Sequence, residues 1–396
     1  MEECEFLSKE QEIQMEFFRK AEESEKLDLI TKGESEKLNK RILKELRGAK
    51  NKDYKDVSES ILNLLVENPK VSRIDMKKVI IRDKGVQILA EALRKNKTIS
   101  SLDLARNFIS SEGCKHLAKI LADKEIIIKL NLSLNAITDT GLNLITHSLH
   151  HNKRIRDLIL YDTQITDSAI PSLSDAIKNK PYLAKLDLRN NKITQEGAVQ
   201  LASALQGNNS LLEFLMSGNL IMDEGCVAIC DALANNFYLK KIHFNCNGIA
   251  GEGGQALARM LGNKSILKEL FLKGNEIENE SMVQIAEALK SAKKIVSIDL
   301  RGNKIGDEGA LALLDVLNGE DMDEIIELDL RGNCLEQESC DLLKSLKQQN
   351  PILWVSFDIY IPPDEPEDKG AKGKGKGKKE PPPKKGDKKE PPPKKK

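Results

Sequence analysis

One cycle of apolar and polar positions recurs along most of the chain. Leu102-Asp103-Leu104 alternates apolar and polar, Asn107 and Ile109 follow, and a turn runs through Ser110, Ser111, Glu112 and Gly113. Leu117, Ala118 and Leu121 then fall at i, i+1, i+4. Period-two alternation predicts a short strand, and the second spacing predicts the inner face of a helix from Cys114 to about Leu121. The Asn of this cycle returns at Asn135, Asn191, Asn219, Asn247, Asn275 and Asn303, on a 28-residue step. Thr163 fills its slot at the missing step, and Val79 fills it one step before Asn107. The last step, to Asn333, is 30 residues and fits an insertion near Gly319-Glu320. Ten β-α units are therefore predicted. A single unit cannot bury its apolar face alone, so neighbours must stack into one continuous core.

Within the units, Ser110, Thr138, Thr166 and Thr194 occupy the place of a helix N-cap, where a hydroxyl oxygen accepts from free backbone N–H groups. Small residues beside the inner Leu (Ala90, Ala118, Ala202, Cys230, Ala258, Ala286) suit close contact between helix and strand. The ends of such a stack need covers. Asp56–Asn68 carries Ile61, Leu62 and Leu65 in phase with the later helices, and predicts a lone helix over the first strand. Residues 351–361 hold the only Trp and predict a closing strand that covers the last unit with aromatics.

The pattern LxxLxLxxNxIxxxGxxxLAxxL resembles the leucine-rich repeats of the ribonuclease-inhibitor type, including those of Ran GTPase-activating proteins and of NLR sensor arms. The likeness covers roughly residues 56–350. It implies an α/β horseshoe solenoid with a parallel sheet on the concave face and helices on the convex face. It also implies that each repeat Asn hydrogen-bonds backbone in the turn after its strand. Ribonuclease inhibitor often has Cys in that slot, and this chain never does. The expected organisation is a helical arm over 1–50, a capping helix over 51–70, the array over 71–350, a capping strand over 351–361 and a tail over 362–396.

The arm is charged and helix-prone. Ile13, Phe17 and Ala21, then Ile42, Leu43 and Leu46, lie at helical spacing, and Gly33 predicts a break between two helices that pack on the first unit or dock on a partner. The tail differs in kind. The chain has 62 basic and 62 acidic residues, yet Lys369–Lys396 holds thirteen Lys against Glu380, Asp387 and Glu390. Zero net charge thus hides a +10 tail and a −10 remainder. With no apolar residues to offset the entropy of ordering, the tail is expected to be disordered, with polyproline II stretches. Lys378, Lys379, Lys384, Lys385, Lys388 and Lys389, in two copies of KKEPPPKK, are candidate anchors for an acidic surface such as tubulin tails or another acidic protein. Nucleic acid fits less well, because no aromatic side chain is present there to stack on bases.

Candidate chemistry is sparse. No Walker loop, HExxH or GxSxG is present, and Gly251, Gly253 and Gly254 read as a turn variant. No catalytic residue, cofactor or metal is assigned. Cys226 and Cys230 with His243 and Cys246 have partial metal-ligand spacing, but phase puts both helix cysteines inward as buried small hydrophobes and His243 on the other side of the sheet. Seven cysteines with no apolar leader point to reduced thiols in a cytosolic or nuclear setting, with the cytoplasm, and cytoskeleton or cilium within it, as the finer expectation. No apolar run is long enough to span a membrane.

The strand residue between the two apolar ones faces the concave side. In order these are Asp75, Asp103, Asn131, Ile159, Asp187, Leu215, His243, Phe271, Asp299 and Asp329. An apolar centre of Ile159, Tyr161, Leu215, His243 and Phe271, rimmed by acids including Asp299 and Asp329, is what a protein interface presents. Arg189, Arg301 and Arg331 follow the Asp row and predict Arg–Asp ladders. The function expected is a non-catalytic scaffold that binds a protein on the concave face, with its arms attaching it to a larger assembly. The alternative is a GTPase-activating protein for a Ran-like GTPase. That family carries an acidic C-terminal region, where this chain is basic.

Overall fold

The structure is a computed structural model that describes residues 32–49, 53–123, 126–178, 180–264, 266–319, 324–349 and 353–360. The chain divides into two units, Met1–Tyr360 and Ile361–Lys396, and every described residue belongs to the first. Ile13, Phe17, Ala21 and the whole lysine-rich tail lie outside the described residues, as does the expected tail disorder.

Two helices come first, α1 (Lys32–Gly48) and α2 (Tyr54–Glu67). Strands and helices then alternate as β1 (Arg73–Asp75), α3 (Arg82–Lys95), β2 (Ser101–Asp103), α4 (Ser111–Asp123), β3 (Lys129–Asn131), α5 (Thr138–Leu149), β4 (Asp157–Ile159), α6 (Ile170–Ile177) and β5 (Lys185–Asp187). The series continues with α7 (Gln195–Leu205), β6 (Glu213–Leu215), α8 (Met222–Leu233), β7 (Lys241–His243), α9 (Gly251–Leu261), β8 (Glu269–Phe271), α10 (Asn279–Leu289) and β9 (Ser297–Asp299). It ends with α11 (Asp307–Leu317), β10 (Glu327–Asp329), α12 (Gln337–Gln349) and β11 (Trp354–Ser356). The eleven strands form one parallel sheet in sequence order. The thirty-residue step falls between β9 and β10, where Ser297 pairs with Glu327. The fold is an α/β solenoid of leucine-rich repeats.

The middle residue of each strand (Ile74, Leu102, Leu130 and their successors) points inward and is fully buried, in a single core that runs from Leu38 to Val355. The repeat Asn side chains tie neighbouring units together. Asn135 accepts from the Asn107 and Ile109 N–H groups at 2.9 and 3.0 Å, and donates to the Leu104 and Leu132 carbonyls at 3.0 and 2.8 Å. Each amide thus satisfies backbone in its own turn and in the preceding unit, where water cannot reach. Thr163 keeps part of the pattern, donating to the Leu160 carbonyl at 2.8 Å.

The helix starts differ from expectation. A carboxylate or amide in the first turn of one helix accepts from the start of the next unit's helix. Asp83 accepts from the Ser110 N–H, the Gly113 N–H and the Ser110 hydroxyl at 2.8, 3.0 and 2.7 Å. Asp139 serves Thr166, Asp167 serves Thr194, Asp223 serves Ala250 and Gly253, and Asn279 serves Gly306 and Gly309. Ser110 and Thr166 do accept from Glu112 and Ser168 N–H groups at 3.1 and 3.3 Å, but both also donate to the preceding Asp. Thr194 makes no side-chain cap, and Thr138 is the first residue of α5, in the left-handed region at φ 58°, with Ile137 in the cap position. Full negative charges at helix N-termini outdo hydroxyls because they also meet the helix dipole. Gly251, Gly253 and Gly254 lie in the first turns of α9 rather than in a turn before it. A Cβ on Gly253 would sit 2.6 Å from Asp223 Oδ1, so the capping carboxylate itself demands glycine.

At the N-terminal end two helices, not one, cover the array. Gly33 lies within α1 rather than at a break between described helices. Leu38 and Ile42 of α1 are buried, and its Ser35 and Asn39 reach the open edge of β1. Ser35 Oγ donates to the Arg73 carbonyl at 3.0 Å, and Asn39 Oδ1 accepts from the Asp75 N–H at 3.3 Å. Helix α2 packs on α3. At the other end β11 closes the sheet, but not with aromatics. Val355 is the buried residue, while Trp354 and Tyr360 are 68% and 46% exposed. No described helix is long and apolar enough to cross a membrane.

Candidate functional site

On the face of the sheet away from the helices, the side chains form rows across the strands. The third residues of β4, β6, β7 and β8 are Ile159, Leu215, His243 and Phe271, brought together by direct strand pairing from β4 to β8. At about 4.8 Å per strand this stretch spans roughly 19 Å. Ile159, Tyr161 and Phe271 stay partly exposed. Leu215 does not, at 3% exposure, so it belongs to the floor of the surface and not to an exposed patch. The close neighbours on a parallel sheet, Asp187 and His243 in register with it, cover a side chain of that length.

His243 sits at the hub. Its ring stacks on Phe271 with centroids 4.2 Å apart and planes 15° from parallel. Its Nε2 lies 2.9 Å from Glu269 Oε2. Burial pulls its pKa below the usual imidazole value, against the attraction of Glu269, which keeps the ring neutral near pH 7. Beside it, Arg189 forks onto Asp187 at 2.9 and 2.7 Å, and its guanidinium lies 5.4 Å from the Tyr161 ring centre. The Asp187 hydrogen bond holds this guanidinium firmly charged against burial. Asn190 Nδ2 donates to the Tyr161 hydroxyl at 3.2 Å.

Asp299 and Asp329 are almost fully buried by their arginines. Arg301 forks onto Asp299 at 2.9 and 2.6 Å and reaches Asp329 at 3.3 Å, while Arg331 forks onto Asp329 at 3.0 and 2.6 Å. Burial opposes ionisation of Asp329, yet Arg331 holds its carboxyl below the usual range. The rim is thus a closed Arg–Asp network rather than free acid.

A second row was missed by reading only the third strand residue. The first residues of β3 to β8 are Lys129, Asp157, Lys185, Glu213, Lys241 and Glu269, alternating in sign. They bridge at 3.2 Å (Lys129–Asp157), 2.5 Å (Lys185–Glu213), 3.8 Å (Lys241–Glu213) and 2.7 Å (Lys241–Glu269). Burial works against the Glu213 charge, but Lys185 and Lys241 hold its carboxyl below the usual range. Alternation of sign on the repeat step was the signal that could have found it.

The cysteine constellation does not assemble. Cys226 and Cys230 are buried on α8 with Sγ atoms 3.9 Å apart, while His243 lies on the sheet face and Cys246 is exposed. The Cys230 thiol and burial together keep Cys226 protonated, and burial beside Asp83 pushes Cys114 up to about 12. Among the described residues no group of three His, Cys, Asp or Glu side chains could hold a metal ion. The candidate anchors Lys378, Lys379, Lys384, Lys385, Lys388 and Lys389 lie outside the described residues.

Two solved structures are among those similar to this chain. A chain of the yeast Rad7–Elc1 complex is 15% identical, with 90% of this chain and 94% of that chain covered at a TM-score of 0.41. The actin-binding site 2 of leiomodin-1 is 19% identical, with 46% of this chain and 97% of that chain covered at a TM-score of 0.32. No curated protein matches the sequence. The family model described as leucine rich repeat matches in five places, residues 95–118, 127–145, 179–202, 235–258 and 292–314. These matches fall in phase with the stacked β-α units, and the chain carries leucine-rich repeats.

Proposed function

We propose that this chain is a non-catalytic scaffold that binds a protein partner on the open face of its sheet, centred on Ile159, Tyr161, His243 and Phe271. The carrying observation is the setting of that centre. Partly exposed apolar and aromatic groups lie among charges that already have partners, in the Arg189–Asp187 fork and the Lys–Glu row. A partner covering this surface would desolvate neutralised pairs rather than lone charges, which lowers the cost of burial. Asp299 and Asp329 serve this surface through Arg301 and Arg331, which present outward-facing donors.

The test is affinity capture from cells with three forms of the full chain. Ile159→Glu/Phe271→Glu is expected to lose the captured partners, while Val199→Glu/Leu311→Glu, on partly exposed helix positions, is expected to keep them. Equal capture by all three forms would remove the sheet face from the function. Leu215 is unsuited to this test, because a charge there would be buried and would unfold the protein.

The tail reading rests on its charge. Thirteen lysines against three acids from Lys369 to Lys396 suit an acidic polymer surface, and a microtubule with its acidic tails is the partner we favour. The full chain is expected to pellet with microtubules at low salt, and a chain lacking 364–396 is expected to remain in solution. Equal pelleting of the two would detach the tail, and with it the cytoskeletal or ciliary setting, from the function.

A further inference from the structure

The two edges of the sheet are finished in different ways. At β1 the outward-facing main-chain groups are Arg73 C=O and Asp75 N–H, and α1 meets both with Ser35 and Asn39. At β11 the register turns the other way. Trp354 N–H donates to the Ile326 carbonyl at 2.7 Å, and Ser356 C=O accepts from Leu330 N–H at 2.8 Å. Trp354 and Ser356 therefore spend their main-chain groups on β10. In a parallel ladder the alternate residues face away. Val355 and Phe357 thus turn their N–H and C=O groups to the open side, and among the described residues no backbone bond meets them. Natural sheets blunt such edges with proline, a bulge or a covering element. Here the described covering is absent, and the exposed Trp354, Ile359 and Tyr360 flank the edge instead.

A cavity of about 590 Å³ lies along this edge, lined by Val355 and Phe357 together with Arg331, Lys344 and Lys347. Arg331 is bonded to Asp329 and Lys344 to Asp341 at 2.6 Å, each leaving further N–H donors free, and Lys347 has no carboxylate partner among the described residues. The unpaired edge at Val355 and Phe357 thus forms one wall of the cavity, and the cations come from other residues, Arg331, Lys344 and Lys347.

We propose that the β11 edge is a docking site for an extended acidic segment of a protein partner, which adds a twelfth strand. Its backbone pairs with Val355 and Phe357, and its carboxylates meet Arg331, Lys344 and Lys347. Main-chain bonds of this kind supply affinity with little sequence demand, and the cationic wall supplies the preference for acid. A second copy of the chain is disfavoured, because a two-fold pairing of β11 edges would bring the two cationic walls together. The site shares Arg331 with the rim of the sheet face but lies apart from the centre at Phe271, and docking here does not depend on that centre.

The probe is a fluorescein-labelled ten-residue peptide of alternating Val and Glu, measured by anisotropy against the full chain at 50 and 300 mM salt. Saturable binding is expected, weakened at least tenfold by the higher salt, by Lys344→Glu/Lys347→Glu, and by N-methylation of alternate peptide bonds. Val355→Pro removes an open donor while leaving the Trp354 and Ser356 bonds to β10, and is expected to weaken binding to the same degree. Circular dichroism checks its folding, and the N-methylated peptide tests the same bond in the unaltered protein. Ile159→Glu/Phe271→Glu is expected to bind the probe as the wild type does, so a failed sheet-face reading leaves this result standing. The proposal is overturned if the N-methylated peptide binds equally, if a Val–Lys peptide binds as well as Val–Glu, or if binding is lost with the sheet-face variant. A concentration-dependent dimer that Val355→Pro abolishes, without peptide binding, would give the edge to a second copy instead.

Discussion

Asn191→Ala is expected to lower the free energy of unfolding by about 3–5 kcal/mol. The Asn191 amide accepts from Thr163 N–H and Ile165 N–H, both at 3.1 Å, and donates to the Leu160 and Leu188 carbonyls at 2.8 and 2.9 Å. Its removal orphans the buried Thr163 and Ile165 N–H groups and leaves the Leu160 and Leu188 carbonyls only their bonds from Thr163 Oγ1 and Asn219 Nδ2. Exposed Lys192 next door sets the scale, since Lys192→Ala is expected to change stability by no more than about 0.5 kcal/mol. Asn191→Thr is expected to recover part of the loss, because Thr163 already serves one carbonyl from the same slot. Urea unfolding followed by circular dichroism measures all three. A loss for Asn191→Ala no greater than for Lys192→Ala would contradict the role given to the Asn series.

The second large effect is a pH dependence at Lys264. Its side chain is fully buried, and Nζ donates to the Leu233 and Ala234 carbonyls at the end of α8, at 3.1 and 3.0 Å. Burial pulls its pKa down to about 8. In the unfolded chain it titrates at about 10.4. Between these values the unfolded chain holds one more proton than the folded one, so rising pH favours the fold. The two carbonyls oppose the drop, which makes the gain an upper bound of about 3 kcal/mol. Other lysines, such as Lys241, are raised in the folded state by their carboxylates despite burial and shift the opposite way. They are shared with Lys264→Met and cancel in the difference. Wild-type stability minus Lys264→Met stability is therefore expected to climb from pH 7.5 to pH 10.5. A flat difference would show that Lys264 stays charged throughout.

Much of this fold was legible because the Asn slot is nearly invariant in spacing. Asn107 to Asn303 mark the turn, and the strand and helix follow from the apolar positions around them. Thr163 was legible in the same way, as the occupant of the missing step, but its bond to the Leu160 carbonyl was not. The Asp series at 83, 139, 167 and 223, with Asp307 accepting from Glu336 N–H at 3.0 Å, was not, because Ser111, Gln195 and Gly251 interrupt it and its partners lie in the next unit. The neighbouring hydroxyls therefore looked like caps, when most are donors to those carboxylates.

The sheet face was read in part. Ile159, Tyr161, His243 and Phe271 do meet on one surface, but apolarity alone could not say that Leu215 is covered. Coverage depends on the length of side chains in adjacent strands, which spacing within one unit does not contain. The closing strand shows the limit of composition more plainly. Trp354 was expected inward because it is large and aromatic, yet in a period-two strand only one side faces the core, and Val355 holds it. The edge bonds of Ser35 and Asn39 depend on where α1 sits against β1, which helical periodicity leaves open.

The most direct test of the sheet face as the partner surface is hydroxyl-radical footprinting of the full chain with and without its captured partner. Tyr161 and Phe271 are partly exposed, oxidisable reporters on that face, and Phe237, 53% exposed beyond α8, is a reporter away from it. The account predicts that partner binding slows oxidation of Tyr161 and Phe271 severalfold and leaves Phe237 unchanged. Protection of Phe237 with Tyr161 and Phe271 oxidised at their free rates would place the partner elsewhere and contradict it.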